Sequence, residues 1–489
     1  MKTTRILGLA ACLAAGALFG GCRDSGGGGT LVIVSGAGGT AATGSSSGTT
    51  TTTPGSFSLV KSDPGGGTIV ESADGKLRKI AGVFHEDLTL ESRFEWVLDA
   101  PVFLGIDDAS KQNTITIEAG TTIKGRGGTP PSMLVIRRGA KLRAEGTATS
   151  PIVFTSAQPA GSRAPGDWGG LILNGQAPVN DIGPGGELPF GEGGSGRYGG
   201  TKPDDSSGVL RYVRVEFAGH VFTSDDELNG IAFQGVGRGT TVDFVQVHRN
   251  ADDGVELFGG TVELRHLLIT GCQDDSLDWT SGWQGKAQFV VLQQWAGGAD
   301  NGIEADNLEA KNDATPRSKP LISNLTLVGP KDAGALSGTG FVLRRGTGAK
   351  IWNSIVTGMN QYGLDVDSTA TWNVAYADAP GSYNTLSGEL AVENTIFFGN
   401  ALGNFRDDAG EPQTDTAFNG HQANANQLVD PQLTDAQNEA KPDFRLKAGS
   451  PALGKWISPG DPFFATATFQ GAMDATTDWT AGWTTAAAK

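Results

Sequence analysis

Cysteine is nearly absent from this chain of 489 residues, which has only Cys12, Cys22 and Cys272. Cys12 lies in the apolar N-terminal run and Cys22 follows it after Gly20 and Gly21, in the kind of segment that is cleaved and modified on export. Cys272 is therefore expected to have no partner, and a disulfide framework is excluded. We predict that Cys272 is a buried ladder residue. Histidine is also scarce, and its positions show no metal-ligand spacing: His85, His220, His248, His266 and His421.

Long apolar runs are missing after the N-terminus, since no stretch approaches the ~20 residues that a spanning helix requires. Positive charge is scarce as well, because 37 Lys and Arg residues face 53 Asp and Glu residues, for a net charge of −16. This balance argues against nucleic acid as a partner and is compatible with divalent cations. Helical periodicity is nearly absent and glycine is abundant, which predicts short strands between tight turns.

The N-terminus, MKTTRILGLAACLAAGALFGGC, has a basic start, a short apolar run and small residues before a cysteine. It resembles a bacterial lipoprotein signal over residues 1–21, which implies lipidation at Cys22; a plain secretory signal is the alternative. Residues 22–56 form a Gly/Ser/Thr-rich tether, predicted to be disordered. A lipid anchor implies the membrane as a partner, with the protein held at the outer membrane, on the cell surface or the periplasmic face.

The rest of the chain repeats itself with a period in the low twenties. FVQVHRNADDGVELFGG (244–260), HLLITGCQDDSLDWTSG (266–282) and FVVLQQWAGGADNGIEADN (289–307) align, with Val247, Ile269 and Leu292 spaced 22 and 23 residues apart. Such a period, without a helix between strands, predicts one coil of a parallel β-helix, because a propeller blade needs ~40 to 45 residues. Strands on successive coils then stack roughly 4.8 Å apart, and equivalent residues form ladders.

A second ladder is predicted from the repeats NLTLVG, NSIVTG and NTIFFG, whose first residues are Asn324, Asn353 and Asn394. Asparagine tolerates the left-handed conformation and can hydrogen-bond its stacked copies. We assign the β-helix to residues 57–455 and a capping tail, covering the last coil, to residues 456–489. Segments that break the period are predicted to be loops on the binding face: 177–208, 305–320 and 405–427.

Several long motifs carry a family resemblance, among them TITIEAGTTIKG, PGDWGGLILNG and ATFQGAMDATTDWTAGWT. They resemble exported β-helix lipoproteins of bacteria. The resemblance implies an all-β fold: a single-stranded right-handed parallel β-helix, a solenoid with an N-terminal tether and a C-terminal cap. It implies no particular chemistry.

Stacking of the repeats predicts a ladder of carboxylates on adjacent coils. Like charges about 5 Å apart cost free energy unless a cation, a shared proton or water relieves them. One hypothesis is a calcium or similar cation site; the other is that the carboxylates only cap strand ends in water. The candidate metal ligands are Asp252, Asp253, Glu256, Asp274, Asp275, Asp278, Asp300 and Glu304.

A third hypothesis rests on resemblance, because NADDGVEL and GCQDDSLDWTSG are similar to the acidic motifs of polygalacturonases. The resemblance implies catalytic roles for Asp253, Asp274 and Asp275, and a basic residue from Arg344 or Arg345. The chain departs from that family in having no histidine near GGADNG and an extra Asp252.

Trp279, Trp283 and Trp295 are candidate ligand-binding residues, since an indole offers a broad apolar face to a sugar, although packing is the alternative role. Together these features predict a lipid-anchored, non-catalytic module that binds a glycan or another envelope component, stabilised by calcium. A polysaccharide hydrolase or lyase is the first alternative, and a purely structural envelope protein is the second.

Overall fold

A computed structural model describes residues 56–489 except 111, 224–225, 331–337, 379–381, 384 and 421–424. The predicted signal, the lipidation site Cys22, the tether up to residue 55 and His421 lie outside the described residues. Within them, no helix has both the length and the apolar composition needed to span a membrane.

The described chain consists almost entirely of short strands. From the N-terminus these are β1 (Phe57–Ser62), β2 (Thr68–Ser72), β3 (Leu77–Phe84), β4 (Leu88–Leu90), β5 (Glu95–Leu104), β6 (Thr114–Ile117), β7 (Thr122–Gly125), β8 (Leu134–Ile136), β9 (Lys141–Glu145), β10 (Ile152–Ser156), β11 (Leu171–Asn174), β12 (Phe190–Gly191) and β13 (Gly196–Arg197). The central strands are β14 (Gly208–Glu216), β15 (His220–Thr223), β16 (Asp226–Leu228), β17 (Ile231–Gln234), β18 (Thr241–His248), β19 (Val255–Phe258), β20 (Glu263–Thr270), β21 (Leu277–Thr280), β22 (Lys286–Gln293) and β23 (Ile303–Ala305).

The C-terminal strands are β24 (Leu321–Val328), β25 (Phe341–Leu343), β26 (Ala349–Trp352), β27 (Ile355–Thr357), β28 (Tyr362–Val366), β29 (Leu390–Glu393), β30 (Ile396–Phe398), β31 (Gly403–Phe405), β32 (Leu433–Asp435) and β33 (Asp443–Leu446). Helices are short in the described residues, which contain α1 (Thr369–Ala375), one 3-10 turn (Glu192–Gly194) and one π-helical turn (Thr416–Gly420).

The strands form three parallel stacks, as a parallel β-helix requires. The first stack runs through β4, β6, β9 and the first halves of β14, β18, β20, β22 and β24 to β26 and β29. The second runs through β5, β7, β10 and the second halves of the same long strands to β27 and β30. The third contains β8, β11, β17, β19, β21, β23, β25, β28 and β31. The predicted fold class is confirmed.

Apolar ladders fill the interior between the stacks. Val245, Leu267, Val290 and Leu325 occupy equivalent positions on successive coils and are at most 1% exposed. Successive residues of a strand point to opposite faces, so every second residue of each coil joins this core. One continuous cluster of buried side chains extends from Ile69 to Phe418.

A corner ladder joins the first and second stacks, and each of its residues has a left-handed backbone. It consists of Tyr212 (φ 48°), Phe244 (φ 55°), His266 (φ 46°), Phe289 (φ 59°), Asn324 (φ 58°), Asn353 (φ 54°) and Asn394 (φ 49°). This conformation costs roughly 1–2 kcal/mol for a residue with a Cβ. Stacking offsets the cost at the aromatic positions, where the Tyr212 and Phe244 ring centroids are 4.5 Å apart and those of Phe244 and His266 are 4.2 Å apart.

The asparagine part of the corner ladder confirms the sequence prediction. Asn394 Nδ2 donates to Asn353 Oδ1 at 2.8 Å, and Asn353 Nδ2 donates to Ser323 Oγ at 2.9 Å. The burial predicted for Cys272 is also confirmed. Desolvation raises the pKa of its thiol to about 12, so the thiol is inert at neutral pH.

The C-terminal tail does not close the end of the β-helix, which corrects the prediction that residues 456–489 cap the last coil. It contacts that coil at the corner, where Gln470 Nε2 donates to the carbonyl oxygen of Asn394 at 2.6 Å. It crosses back over earlier coils along the corner ladder, from Ile457, whose carbonyl oxygen accepts from Asn353 Nδ2, to Ala487, whose carbonyl oxygen lies 2.7 Å from His248 Nε2. The tail binds there because the side chains of the corner present donors and acceptors to its backbone. At the C-terminal end of the β-helix, Ala417 and Phe418 cover the core instead, and both are fully buried.

Replacing Asn353 tests the corner ladder. Asn353→Ala removes the side-chain bonds to Ser323, Asn394 and Ile457 and keeps a Cβ at positive φ. We expect a loss of about 2–4 kcal/mol, read as a lower melting temperature. Asn353→Gly should lose about 1 kcal/mol less, because glycine accepts this backbone conformation. The exposed Gln361→Ala is the control, and an alanine variant no less stable than this control would contradict the account.

Candidate functional site

Three neighbouring strands of the third stack carry the acidic residues. In β19, β21 and β23 the register aligns Glu256 with Asp278 and Asp278 with Glu304. The preceding residues, Val255, Leu277 and Ile303, are fully buried in the core. Because side chains alternate along a strand, the carboxylates point to the outside of the β-helix. We call the eight predicted metal ligands together the acidic face.

An inner row of the acidic face connects the coils. Asp253 Oδ1 accepts from the backbone N–H of Asp275 at 2.9 Å, Asp275 Oδ1 accepts from Asn301 N–H, and Asn301 Oδ1 accepts from Thr339 N–H at 3.1 Å. Asp253, Asp275 and Asn301 are 7%, 4% and 8% exposed. Asp253 and Asp275 do cap backbone N–H groups, as one hypothesis expects, but both carboxylates are buried and do not cap strand ends in water.

Two outer rows flank the inner one: Asp252, Asp274 and Asp300 on one side, and Glu256, Asp278 and Glu304 on the other. Burial, assisted by Glu227 and Asp274, raises the pKa of Asp252 to about 7. Burial and the charge of Asp300 raise the pKa of Asp274 to about 6.

The other carboxyl groups of the acidic face behave in the same way. Burial raises the pKa of Glu304 to about 7, although Arg344 partly offsets the rise. Burial, followed by the charges of neighbouring carboxylates, raises the pKa well above the ordinary range at four further positions: Asp253, Glu256, Asp275 and Asp278. Without a bound cation, the acidic face is therefore expected to retain protons at pH values where free carboxylates are ionised.

Few donors relieve this negative charge. Asn229 Nδ2 donates to Glu256 Oε2 at 2.7 Å, and Arg344 forms a salt bridge with Glu304 and binds Asp306 Oδ1 through Nε at 2.8 Å. Arg345 instead pairs with Asp306 and Glu309. Within the described part of the chain, nothing donates to the buried Oδ1 of Asp278.

The carboxylate oxygens are close enough to share ions. Four overlapping triplets each bring one oxygen per residue within 4.8 Å of the others: Asp252–Asp253–Asp274, Asp253–Glu256–Asp278, Asp274–Asp275–Asp300 and Asp275–Asp278–Glu304. Two oxygens bound to one calcium ion at ~2.3–2.6 Å lie at most about 5 Å apart. The donor set of hard oxygens and its spacing therefore fit calcium.

The residues implied by the polygalacturonase resemblance also meet on this face. Asp253 and Asp274 belong to one triplet, whose oxygens are closer than the ~6.5–9.5 Å that an inverting glycosidase needs. Asp253 and Asp275 both accept a backbone N–H from the next coil, which gives each of them a role in the fold. Arg344 reaches the face, whereas Asn301 stands on the coil where that family has its histidine.

The proposed sugar-stacking role of the tryptophans is wrong for Trp279 and Trp283. Both are 0% exposed, and their indole N–H groups donate to Thr347 Oγ1 and the Val262 carbonyl. Trp279 follows the outward Asp278, so the strand alternation turns it into the core. Trp295 is 3% exposed and packs beside Arg249, which leaves no open ring face for a sugar.

Sequence reasoning missed the residues that loops bring to the acidic face. Glu192 lies in the 177–208 insertion, and Asn229 follows the β15–β16 hairpin; Asn229 Nδ2 contacts Glu192 Oε2 at 3.2 Å and also binds Glu256. Glu227 on β16 contributes negative charge near Asp252. The break in the repeat period predicted the insertion at 177–208, but nothing in its sequence predicted that Glu192 would lie beside the acidic face.

The raised pKa values predict an unusual pH dependence. A folded-state pKa above the unfolded value means that the folded protein binds more protons, so without divalent ions its stability should fall as pH rises from 5 to 7. In Asp278→Asn this fall should be smaller, because one titrating carboxyl and its repulsion are gone. Melting temperatures in EDTA across this range measure it, with the exposed Asp313→Asn as control. A slope equal in all three proteins would contradict the assignment.

Among curated proteins, none matches this sequence. Among solved structures, the chain is similar to the periplasmic alginate epimerase AlgG, with 9% identity over 76% of this chain and 80% of that one and a TM-score of 0.40. It is also similar to the Dettilon tailspike protein gp208, with 12% identity over 73% of this chain and 63% of that one and a TM-score of 0.25.

A family model describes a larger part of the chain. Residues 82–484 match the pectate-lyase-like β-helix domain, from the coil of β3 to the part of the tail that contains Trp483. This range includes all three stacks and the whole acidic face. The chain belongs to the pectate-lyase-like β-helix family.

Proposed function

We propose that this protein binds divalent cations, calcium foremost, on its acidic face, and that the loaded face is a non-catalytic binding surface for an envelope glycan. The observation that carries the proposal is the set of four carboxylate triplets on three adjacent coils, with Arg344 as the one basic residue paired with the face among the described residues. Lipidation at Cys22 would hold this surface at the outer membrane.

Asn301 shows why capping alone does not account for the charge. Its amide oxygen accepts a backbone N–H from the next coil, as the carboxylates of Asp253 and Asp275 do. A neutral side chain therefore satisfies the backbone equally well. Burying two carboxylates in its place costs free energy unless something neutralises them, and a bound cation does so.

A calcium ion on the acidic face would also have coordination positions left for a ligand. Calcium takes six to eight oxygens, and each triplet supplies three residues, so further positions on a bound ion remain for water or for ligand oxygens. Asp300, at the outer edge, is exposed. Anionic glycans bring carboxylate and hydroxyl oxygens, which suit both the open positions on the ion and the guanidinium of Arg344.

A calcium titration tests the cation site. The melting temperature of the purified protein should rise between EDTA and millimolar calcium, since a ligand at 100 times its Kd adds about 2.7 kcal/mol to stability. Asp278→Asn should lose most of this rise, because Asp278 belongs to two triplets and caps no backbone group in the described residues. Asp313→Asn should keep it. No shift at 10 mM calcium in the unsubstituted protein would reject the proposal.

A polysaccharide hydrolase or lyase is the second candidate, favoured by Arg344 beside carboxyl groups whose pKa values of about 6 to 7 suit a general acid. A panel of polyuronides separates the two functions. A binding module retains the glycan in a calcium-dependent pull-down and leaves its length unchanged. An enzyme releases reducing ends or unsaturated products, and Asp274→Asn should lower that activity by about 100-fold. Shortening that persists in Asp274→Asn would exclude catalysis by this face.

A further inference from the structure

A separate cavity lies where the C-terminal tail crosses the corner ladder. It measures 170 Å³, and its walls include Phe289 of the ladder and Phe469, Met473 and Trp479 of the tail. The three aromatic rings are half-buried, so part of each still faces solvent. Asp474 is the one acidic residue that lines the cavity.

The cavity has aromatic walls because it lies beside the end of the ring stack in the corner ladder, at Phe289. The faces of His266 are covered by Phe244 at 4.2 Å and Phe289 at 5.1 Å. Trp479 meets His266 at an interplanar angle of 65°, so its ring face lies against the edge of the stack. The next ladder residue after Phe289 is an asparagine, and Phe289 instead pairs with Phe469 at 6.4 Å.

Asp474 brings negative charge to this apolar cavity. Its Oδ1 accepts from the backbone N–H groups of Thr476 and Thr477 at 2.7 and 2.6 Å. Burial acts to raise its pKa, but these hydrogen bonds outweigh burial and leave the pKa below the ordinary value. The hydroxyl groups of Thr476 and Thr477 also donate to this carboxylate, at 3.0 Å to Oδ1 and 3.5 Å to Oδ2. All of these donors are neutral, and no lysine or arginine in the described part of the chain forms a salt bridge with Asp474, so its negative charge is not neutralised by an ion pair.

We propose that this cavity binds an alkylammonium group, such as the trimethylammonium group of choline. Aromatic faces attract such a cation through their π electrons, and the carboxylate of Asp474 adds direct charge complementarity. An uncharged apolar ligand gains nothing from Asp474, and an anion is repelled by it. The site lies on the tail and the corner ladder, and it is independent of the acidic face.

Calorimetric titration of the full-length protein with choline tests the proposal. The matched probe is 3,3-dimethyl-1-butanol, which has the shape of choline and no charge. Choline should bind about tenfold more tightly than this isostere, because cation–π attraction and Asp474 act on charge alone. Equal affinities would show an apolar slot and overturn the proposal, and so would the absence of choline binding at 10 mM.

Variants assign the binding to this cavity. Asp474→Asn keeps an oxygen for the Thr476 and Thr477 N–H groups and should weaken choline binding about fivefold without changing that of the isostere. Phe469→Leu should weaken choline binding by a similar factor. Asp435→Asn, which neutralises an acidic residue of a different cavity, is the control. Choline binding unchanged in both test variants, with melting temperatures intact, would overturn the assignment.

Vesicles distinguish the two sources of the ammonium group. Flotation with phosphatidylcholine vesicles, lost in Asp474→Asn, identifies a lipid headgroup as the ligand. Binding of free choline without flotation identifies a soluble alkylammonium compound. Because neither measurement involves calcium, a failure here leaves the acidic face untouched, and a failure of the calcium titration leaves this site untouched.

Discussion

Hydrogen bonding between parallel strands fixes successive coils about 4.8 Å apart, and this spacing places each residue on its equivalent in the next coil. An interaction that is favourable or unfavourable at one position is therefore repeated on every coil along the axis of the β-helix. Apolar positions gain from the repetition, since Val245, Leu267 and Val290 pack into one column of the core. Aromatic rings and asparagine amides gain as well, because both can interact with a copy of themselves.

Carboxylates are the exception, because repetition makes them repel. The acidic face accumulates this repulsion on three coils and is relieved on one flank by Arg344 and on another by Asn229. Between those flanks the buried Asp278 oxygen has no donor within the described chain. Groups that work against the stability of a fold are expected at functional sites, and this expectation supports the proposal that the acidic face binds cations.

Much of the β-helix could be predicted because it depends on ladders, and ladders are visible as a period in the sequence. The spacing of Val247, Ile269 and Leu292 predicted the coils, and the asparagines at 324, 353 and 394 predicted a left-handed corner that the structure confirms. The same period grouped the acidic residues. Strand alternation also accounts for Trp279: once Asp278 is placed on the outside of the strand, the next side chain must point into the core.

The contacts that could not be predicted are those that occur once. The tail contacts earlier coils through bonds such as that from Gln246 Nε2 to the carbonyl oxygen of Thr485, two residues that are 239 positions apart in the sequence. No sequence repeat predicts such a contact. Asn229 reaches Glu256 from a loop whose path depends on packing against the outside of the stack. Loops and termini of this kind take their positions from tertiary contacts, which sequence periodicity does not report.

The course of the tail changes how the solenoid should fold and unfold. A simple solenoid has only nearest-neighbour contacts and can lose coils one at a time from an end. Here residues near the C-terminus bind Arg214 and Gln246 in the middle of the chain, which ties many coils into one cooperative unit. Such contacts have high contact order and form only after the last residues have been synthesised. The tail therefore slows folding, and in return it makes the coils resist unfolding one at a time from an end.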